Sequence, residues 1–189
     1  MNFIKYLDYN ILFFIQNHVQ NDFLNPIIIF FTKLGNSGFI WILISIILIM
    51  KSKYRKIGFL VLSVLFINTL FGEILLKHLI QRPRPFITLS NLNIIIEKPS
   101  SFSFPSGHTS SAFACAFIFG YFFKKYKWYF YSLAFIISFS RIYLLVHYPS
   151  DVICGIFSGY FSFLITKILY LNFIKHKNSL SAKRHSKRL

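Results

Sequence analysis

The sequence predicts an all-α fold, a polytopic bundle of membrane helices, and three observations carry that expectation. Of 189 residues, 55% are hydrophobic and 20% aromatic while only 14% are charged, more apolar surface than a soluble domain of this length can hide. Five apolar runs of near membrane-crossing length follow one another, at about residues 35–50, 57–76, 109–123, 128–146 and 152–173. The basic residues cluster between those runs rather than along one polar face. The excess of 21 Lys+Arg over 5 Asp+Glu therefore reads as membrane topology, and no nucleic-acid partner is expected.

Residues 1–18 mix Leu, Ile and Phe with Lys5, Asp8, Asn10 and Gln16 at near-helical spacing, which suits a helix lying in the membrane interface. Asp8 and Asn10 interrupt the opening, and no short apolar run leads to a small-residue cleavage site, so it does not read as a cleavable signal peptide. Residues 21–34, with N-P-I-I-I-F-F-T-K-L, form a short or broken first span, which brings the expected total to about six membrane segments. Cys115 and Cys154 lie inside apolar helices and read as small core residues. The expected organisation is one membrane-embedded domain, 1–173, with its motif-bearing core at about 57–173. A basic tail, 174–189, has no apolar period and reads as a disordered extension facing lipid headgroups.

Orientation follows from charge. The loop K-S-K-Y-R-K (Lys51 to Lys56), the turn K-K-Y-K (Lys124 to Lys127) and the tail hold more than half of the basic residues, and alternating spans put all three on one side. The positive-inside rule makes that side cytoplasmic. The other ends of the spans gather every unusual polar cluster in the chain: K-H-L-I-Q-R-P-R-P (Lys77 to Pro85), F-P-S-G-H-T (Phe104 to Thr109) and S-R-I-Y-L-L-V-H-Y-P-S-D (Ser140 to Asp151).

Each cluster alone has a plain explanation: basic residues snorkel at helix ends, prolines stop helices, and Ser-Gly caps them. Together they put several cations, a helix N-terminus, two histidines and a carboxylate on the face that the charge bias should keep free of cations. That inventory fits phosphate chemistry. Arginine forks and a lysine hold phosphoryl oxygens, and Ser106 opens a helix whose free N–H groups attract anions. His147 is a candidate nucleophile, and Asp151, four residues on, is placed to accept the other ring N–H. His108 is the second histidine, an acid for the leaving group and then a base for water. Two His and an Asp also make a metal set, but a wall this cationic disfavours a metal ion; neither a metal nor a cofactor is expected.

Taken together, K-x6-R-P (Lys77, Arg84, Pro85), P-S-G-H (Pro105 to His108) and S-R-x5-H-x3-D (Ser140, Arg141, His147, Asp151) resemble the tripartite signature of the type-2 phosphatidic acid phosphatase family, whose superfamily also holds the vanadium haloperoxidases. Every signature position is occupied, in order, and the resemblance covers about residues 60–171. It implies a six-span helical bundle with an outward-facing site. His147 would carry a phosphohistidine and Asp151 assist it, His108 would protonate the leaving oxygen, and Lys77, Arg84, Ser106, Gly107 and Arg141 would hold the phosphoryl group. The implied protein is a lipid phosphatase of the cytoplasmic membrane with membrane lipids around it and a lipid phosphate as substrate. It is similar to the bacterial undecaprenyl pyrophosphate phosphatases; phosphatidic acid, phosphatidylglycerol phosphate and lipid A phosphates are the other substrates in view. A vanadate-dependent haloperoxidase and a non-catalytic phosphate transporter are the alternatives from other classes.

Three features stay open at this level. Arg82 lies outside the signature and either contacts substrate or is plain surface charge. Glu73, four residues before Lys77, either aims that lysine or neutralises it. The loop 86–103, with Ile94 to Ile96, shields the site, touches a lipid tail or simply connects.

Overall fold

A computed structural model describes residues 3–186, and the side chains of residues 3–179; every regular element within them is helical, without a strand. Helix α1 (Phe3–Phe14) ends in a π-helical turn, Ile15–Val19. Helices α2 (Leu24–Gly35) and α3 (Phe39–Met50) meet at the turn Asn36–Gly38. Helix α4 (Arg55–Asn68) continues as a π-helix, Thr69–Leu76, into the single turn α5 (Lys77–Ile80). After the short α6 (Pro85–Thr88) come α7 (Gly107–Phe122), α8 (Lys127–Tyr143) and α9 (Pro149–Ser186).

Among the described residues, three helical runs are long and apolar enough to cross a membrane: Leu24–Met50, Arg55–Thr88 and Pro149–Ser179. The first joins the segment 21–34 to the run 35–50, so these two form one bent rod instead of two spans. The bend comes from G-N-S-G: Ser37 (φ 49°) and Gly38 (φ 71°) both adopt left-handed backbone, which an α-helix cannot accommodate.

Helices α7 and α8 are shorter, 16 and 17 residues. Helix α7 is the axis of the bundle: Ala112, Ala114, Cys115, Ala116 and Phe119 have no exposure at all. A helix apolar on every side belongs in the interior. Around it, Phe59, Phe66, Phe135, Phe157 and Leu169 turn outward, the arrangement expected where the solvent is hydrocarbon.

Helix α9 packs on α7 through Gly155 and Gly159, a small-x-x-x-small pair that lets two backbones approach closely. A methyl group on Gly159 would sit 2.5 Å from the carbonyl oxygen of Ser110 and 2.9 Å from the amide nitrogen of Ala114. Both are backbone atoms and cannot swing away. Gly159→Ala is therefore expected to destabilise the bundle by about 1–3 kcal/mol, read as a lower melting temperature in detergent.

Helix α1 turns Phe3, Ile4, Leu7, Ile11 and Phe14 outward and buries Asp8 and Leu12, and the turn after it buries Ile15. It has the amphipathic character expected of an interfacial helix, with its acid on the inner face. Leu12 and Ile15 join Leu92 and the chain from Tyr143 to Val146 in a second apolar cluster, so α1 and the loop 86–103 both pack on the turn that leads to His147. At the other end, α9 runs on through Ser186, into the basic stretch that follows the last apolar run. Residues 187–189 lie outside the described residues.

Candidate active site

The three signature clusters converge on one cavity of about 970 Å³. Lys77, Arg84, Gly107, His108, Arg141 and His147 all line it, while Ser106 and Asp151 stand one layer back, fully buried. Several members are delivered by local breaks in helical structure, while Arg141 projects from the last turn of α8. The π-helix before Lys77 widens the turn there, a distortion common at functional sites. The chain reverses after α8 through Leu145 (φ 57°), a buried leucine in left-handed backbone. Strain of that kind is held by surrounding packing, and here it turns His147 back over the cavity.

His147 is almost fully buried, and its two ring nitrogens have different neighbours. Nε2 lies 3.2 Å from an N–H of Arg84, and a guanidinium can only donate, so Nε2 carries the lone pair. Nδ1 lies 3.6 Å from Oδ2 of Asp151 and 3.5 Å from Oγ of Ser103. Burial above all, with Arg84 and Arg141 adding to it, drives the pKa of His147 down to about 3 against the pull of Asp151. The contact with Asp151 is thus a neutral imidazole beside a carboxylate, and a free lone pair faces the arginines at neutral pH.

Asp151 is held from every side. Oδ2 accepts from Ser103 Oγ at 2.5 Å and from the Tyr148 N–H at 3.0 Å; Oδ1 accepts from Arg82 at 2.6 Å. Arg84 donates to the carbonyl of Ser101 at 2.6 Å, to its Oγ at 3.0 Å and to the carbonyl of Val146 at 2.8 Å. Arg141 donates to Oγ1 of Thr32 at 2.5 Å, and its Nε has no partner among the described residues. Lys77 pairs with Glu73 at 2.7 Å.

The electrostatics decide what such a cavity can hold. Lys77, Arg84 and Arg141 are each 5% exposed or less; Glu73 and Glu97 line the same cavity, and Asp151 stands behind it. Buried like charges are costly unless an anion offsets them. The N-terminus of α7 points the same way. Its cap residue, Ser106, accepts no backbone N–H of the first turn with its side chain; its Oγ accepts instead from the Thr109 hydroxyl at 3.0 Å, and the first N–H groups of the helix remain available. Gly107 leaves room for Glu73: a Cβ there would fall on its carboxylate, which would have to swing aside from Lys77.

The profile of the PAP2 superfamily matches residues 53–175. The chain belongs to the PAP2 superfamily. The undecaprenyl-diphosphatase of Sulfolobus acidocaldarius is 31% identical over 159 residues, 83% of this chain and 76% of its own length. Among solved structures, a transmembrane PAP2-type phosphatidylglycerolphosphate phosphatase from Bacillus subtilis superposes with a TM-score of 0.73 at 27% identity, covering 91% of this chain and 88% of that one. Aquifex aeolicus LpxE gives 0.76 at 29% identity, over 88% of this chain and 98% of that one. This PAP2 protein is a membrane lipid phosphatase, a hydrolase of phosphoester or diphosphate bonds, which sets aside the non-catalytic transporter.

The structure resolves the features that the sequence left open. Arg82 does not line the cavity and is not loose surface charge: it bridges Asp151 and Asp8. Glu73 pairs with Lys77 and packs on Gly107, at the mouth of α7. The loop 86–103 walls the cavity with Ile95 to Ser101 and supplies Ser101 and Ser103 to Arg84 and Asp151. Other participants were missed. Asn36 in the G-N-S-G bend accepts from Nε2 of His108 at 2.8 Å, and Thr32 holds Arg141. A polar interruption in an apolar run was the available signal for Asn36. Nothing local marked Thr32, Ser101 or Ser103.

Proposed function

We propose that this PAP2 phosphatase removes the terminal phosphate of undecaprenyl pyrophosphate through a phosphohistidine at His147, at the outer face of the cytoplasmic membrane. The observation that carries the reading is the shape of the cavity. Its deep wall holds the Nε2 lone pair of His147 among Lys77, Arg84 and Arg141, while Ile29, Ile42, Leu65 and Phe66 line it too. A polar phosphate and the start of an apolar chain both find complementary surface there.

In the proposed reaction, Nε2 of His147 forms a bond to phosphorus as the bond from phosphorus to the leaving oxygen breaks. Lys77, Arg84, Arg141 and the N–H groups at Gly107 spread the charge of the phosphoryl oxygens, with Ser106 behind them. His108, its Nε2–H held by Asn36 Oδ1, acts as the imidazolium beside the anionic substrate: Nδ1 gives its proton to the leaving oxygen and then takes one from the water that attacks phosphorus. Asp151 holds the Nδ1–H of the charged intermediate, and water releases inorganic phosphate and restores His147. No step requires a metal ion.

The undecaprenyl substrate is suggested by the Sulfolobus relative, and phosphatidylglycerol phosphate is the second reading because of the similar Bacillus structure. The outward orientation rests on the basic loops at the opposite end of the bundle, which also put the C-terminal tail in the cytoplasm. Phosphate release from detergent-solubilised undecaprenyl pyrophosphate, phosphatidylglycerol phosphate, phosphatidic acid and a lipid A phosphate, each with excess chelator, tests the proposal. The expected result is the highest kcat/KM on undecaprenyl pyrophosphate, undiminished by chelator. A preference for another lipid would overturn the substrate, and loss with chelator the mechanism.

A further inference from the structure

Asp8 is the one charged residue that the interfacial helix α1 turns inward. Its surroundings are those of a working group: it is 2% exposed, and both oxygens are engaged. Oδ1 accepts the backbone N–H of Ser150 at 2.9 Å, one of the N–H groups that the start of α9 leaves unpaired within its own helix. Oδ2 accepts from Ser150 Oγ at 2.6 Å and from Arg82 at 2.7 Å. The other arm of the Arg82 fork reaches Oδ1 of Asp151 at 2.6 Å, and its plane lies 3.9 Å from the centre of the Tyr148 ring. The guanidinium is thereby fixed by two carboxylates and an aromatic face.

We propose that Asp8 is a positioning residue of the reaction, acting through Arg82 on Asp151 and through Asp151 on His147. The inference rests on the phosphohistidine reading above. Two physical effects support it. The first is geometric: with Arg82 on Oδ1, the opposite oxygen of Asp151 is turned toward Nδ1 of His147. The second is electrostatic. When Nε2 bonds to phosphorus the ring becomes cationic, and Asp151 must hold that charge. Asp8 offsets the charge of Arg82, so the carboxylate beside the ring is not neutralised by its own anchor. Without Asp8, Arg82 would keep Ser150 Oγ but have Asp151 as its one carboxylate, which weakens Asp151 as a partner for the imidazolium. Asp8 touches neither substrate nor the reacting atoms, and its effect belongs to kcat.

The test is a double-mutant cycle of Asp8→Asn and Asp151→Asn in the full chain, with undecaprenyl pyrophosphate in detergent micelles and residual rates taken from single turnovers. Asp8→Asn is expected to lower kcat about tenfold with KM within about twofold of the parent, the usual size for groups that orient a reacting residue. In the Asp151→Asn background the same change should cost almost nothing, because its route to His147 is gone. An equal loss in both backgrounds, or a folded Asp8→Asn protein with the parent's kcat, overturns the proposal. If Asp8→Asn does not yield folded protein, Arg82→Lys takes its place, since a lysine keeps the charge but cannot span both carboxylates; it should show the same fall confined to kcat, and an unchanged kcat overturns the proposal. Acid-labile and base-stable labelling of the parent separates the two levels. If the parent forms no phosphohistidine, the underlying reading fails and takes the inference with it; if it does, the cycle bears on Asp8 alone.

Discussion

His147→Ala is expected to abolish phosphate release, with a fall of at least about 10³-fold in kcat and complete loss of the phosphohistidine label. The reason lies in how much of the site serves one atom. Nε2 has a free lone pair beside Arg84, and burial keeps the ring neutral, with a pKa of about 3. Alanine removes the nucleophile and leaves the cations, so the variant should still bind the lipid phosphate with an affinity close to the parent's. Steady-state phosphate release together with equilibrium binding of the substrate checks both halves. A variant that turns over at the parent's rate would exclude a histidine-bound intermediate.

Arg84→Lys is expected to lower kcat/KM by about 10²-fold, although it conserves charge. The guanidinium is held by Ser101 and Val146 while it faces His147, and only a planar fork makes those contacts together. A lysine ammonium is a point charge on a flexible stem, and it would leave the Val146 and Ser101 carbonyls without that donor. Measuring kcat/KM on the same micelles, with the melting temperature alongside, separates lost alignment from lost folding. An Arg84→Lys protein that keeps the parent's kcat/KM would mean that charge alone is enough.

The sites of both substitutions were legible in the chain because their information is local. Lys77 and Arg84 are seven residues apart, and His147 and Asp151 lie four apart around one turn. Short spacing survives in any sequence that keeps the turn, and the residue types declare their chemistry. Asp8 and Arg82 are a different case. They meet across 74 residues of chain, and Asp8 meets Ser150 across 142. In the sequence Asp8 interrupted an apolar opening and Arg82 was a spare cation. Each took on a role only when α1 docked against the start of α9.

The same division runs through the fold. The sequence by itself determined a helical membrane protein, the clustering of its basic loops, and the signature residues that come to line one cavity. Hydropathy and charge act residue by residue against the bilayer, and that preference does not depend on which helix lies next to which. Only the tertiary structure decided that the G-N-S-G bend joins two apolar runs into one rod and sets Asn36 against His108. It also decided that Gly155 and Gly159 bring α7 and α9 together, and that Asp8 stands behind Asp151. Those outcomes depend on close packing and on satisfying buried polar groups between distant segments, and neither leaves a period or a spacing in the chain.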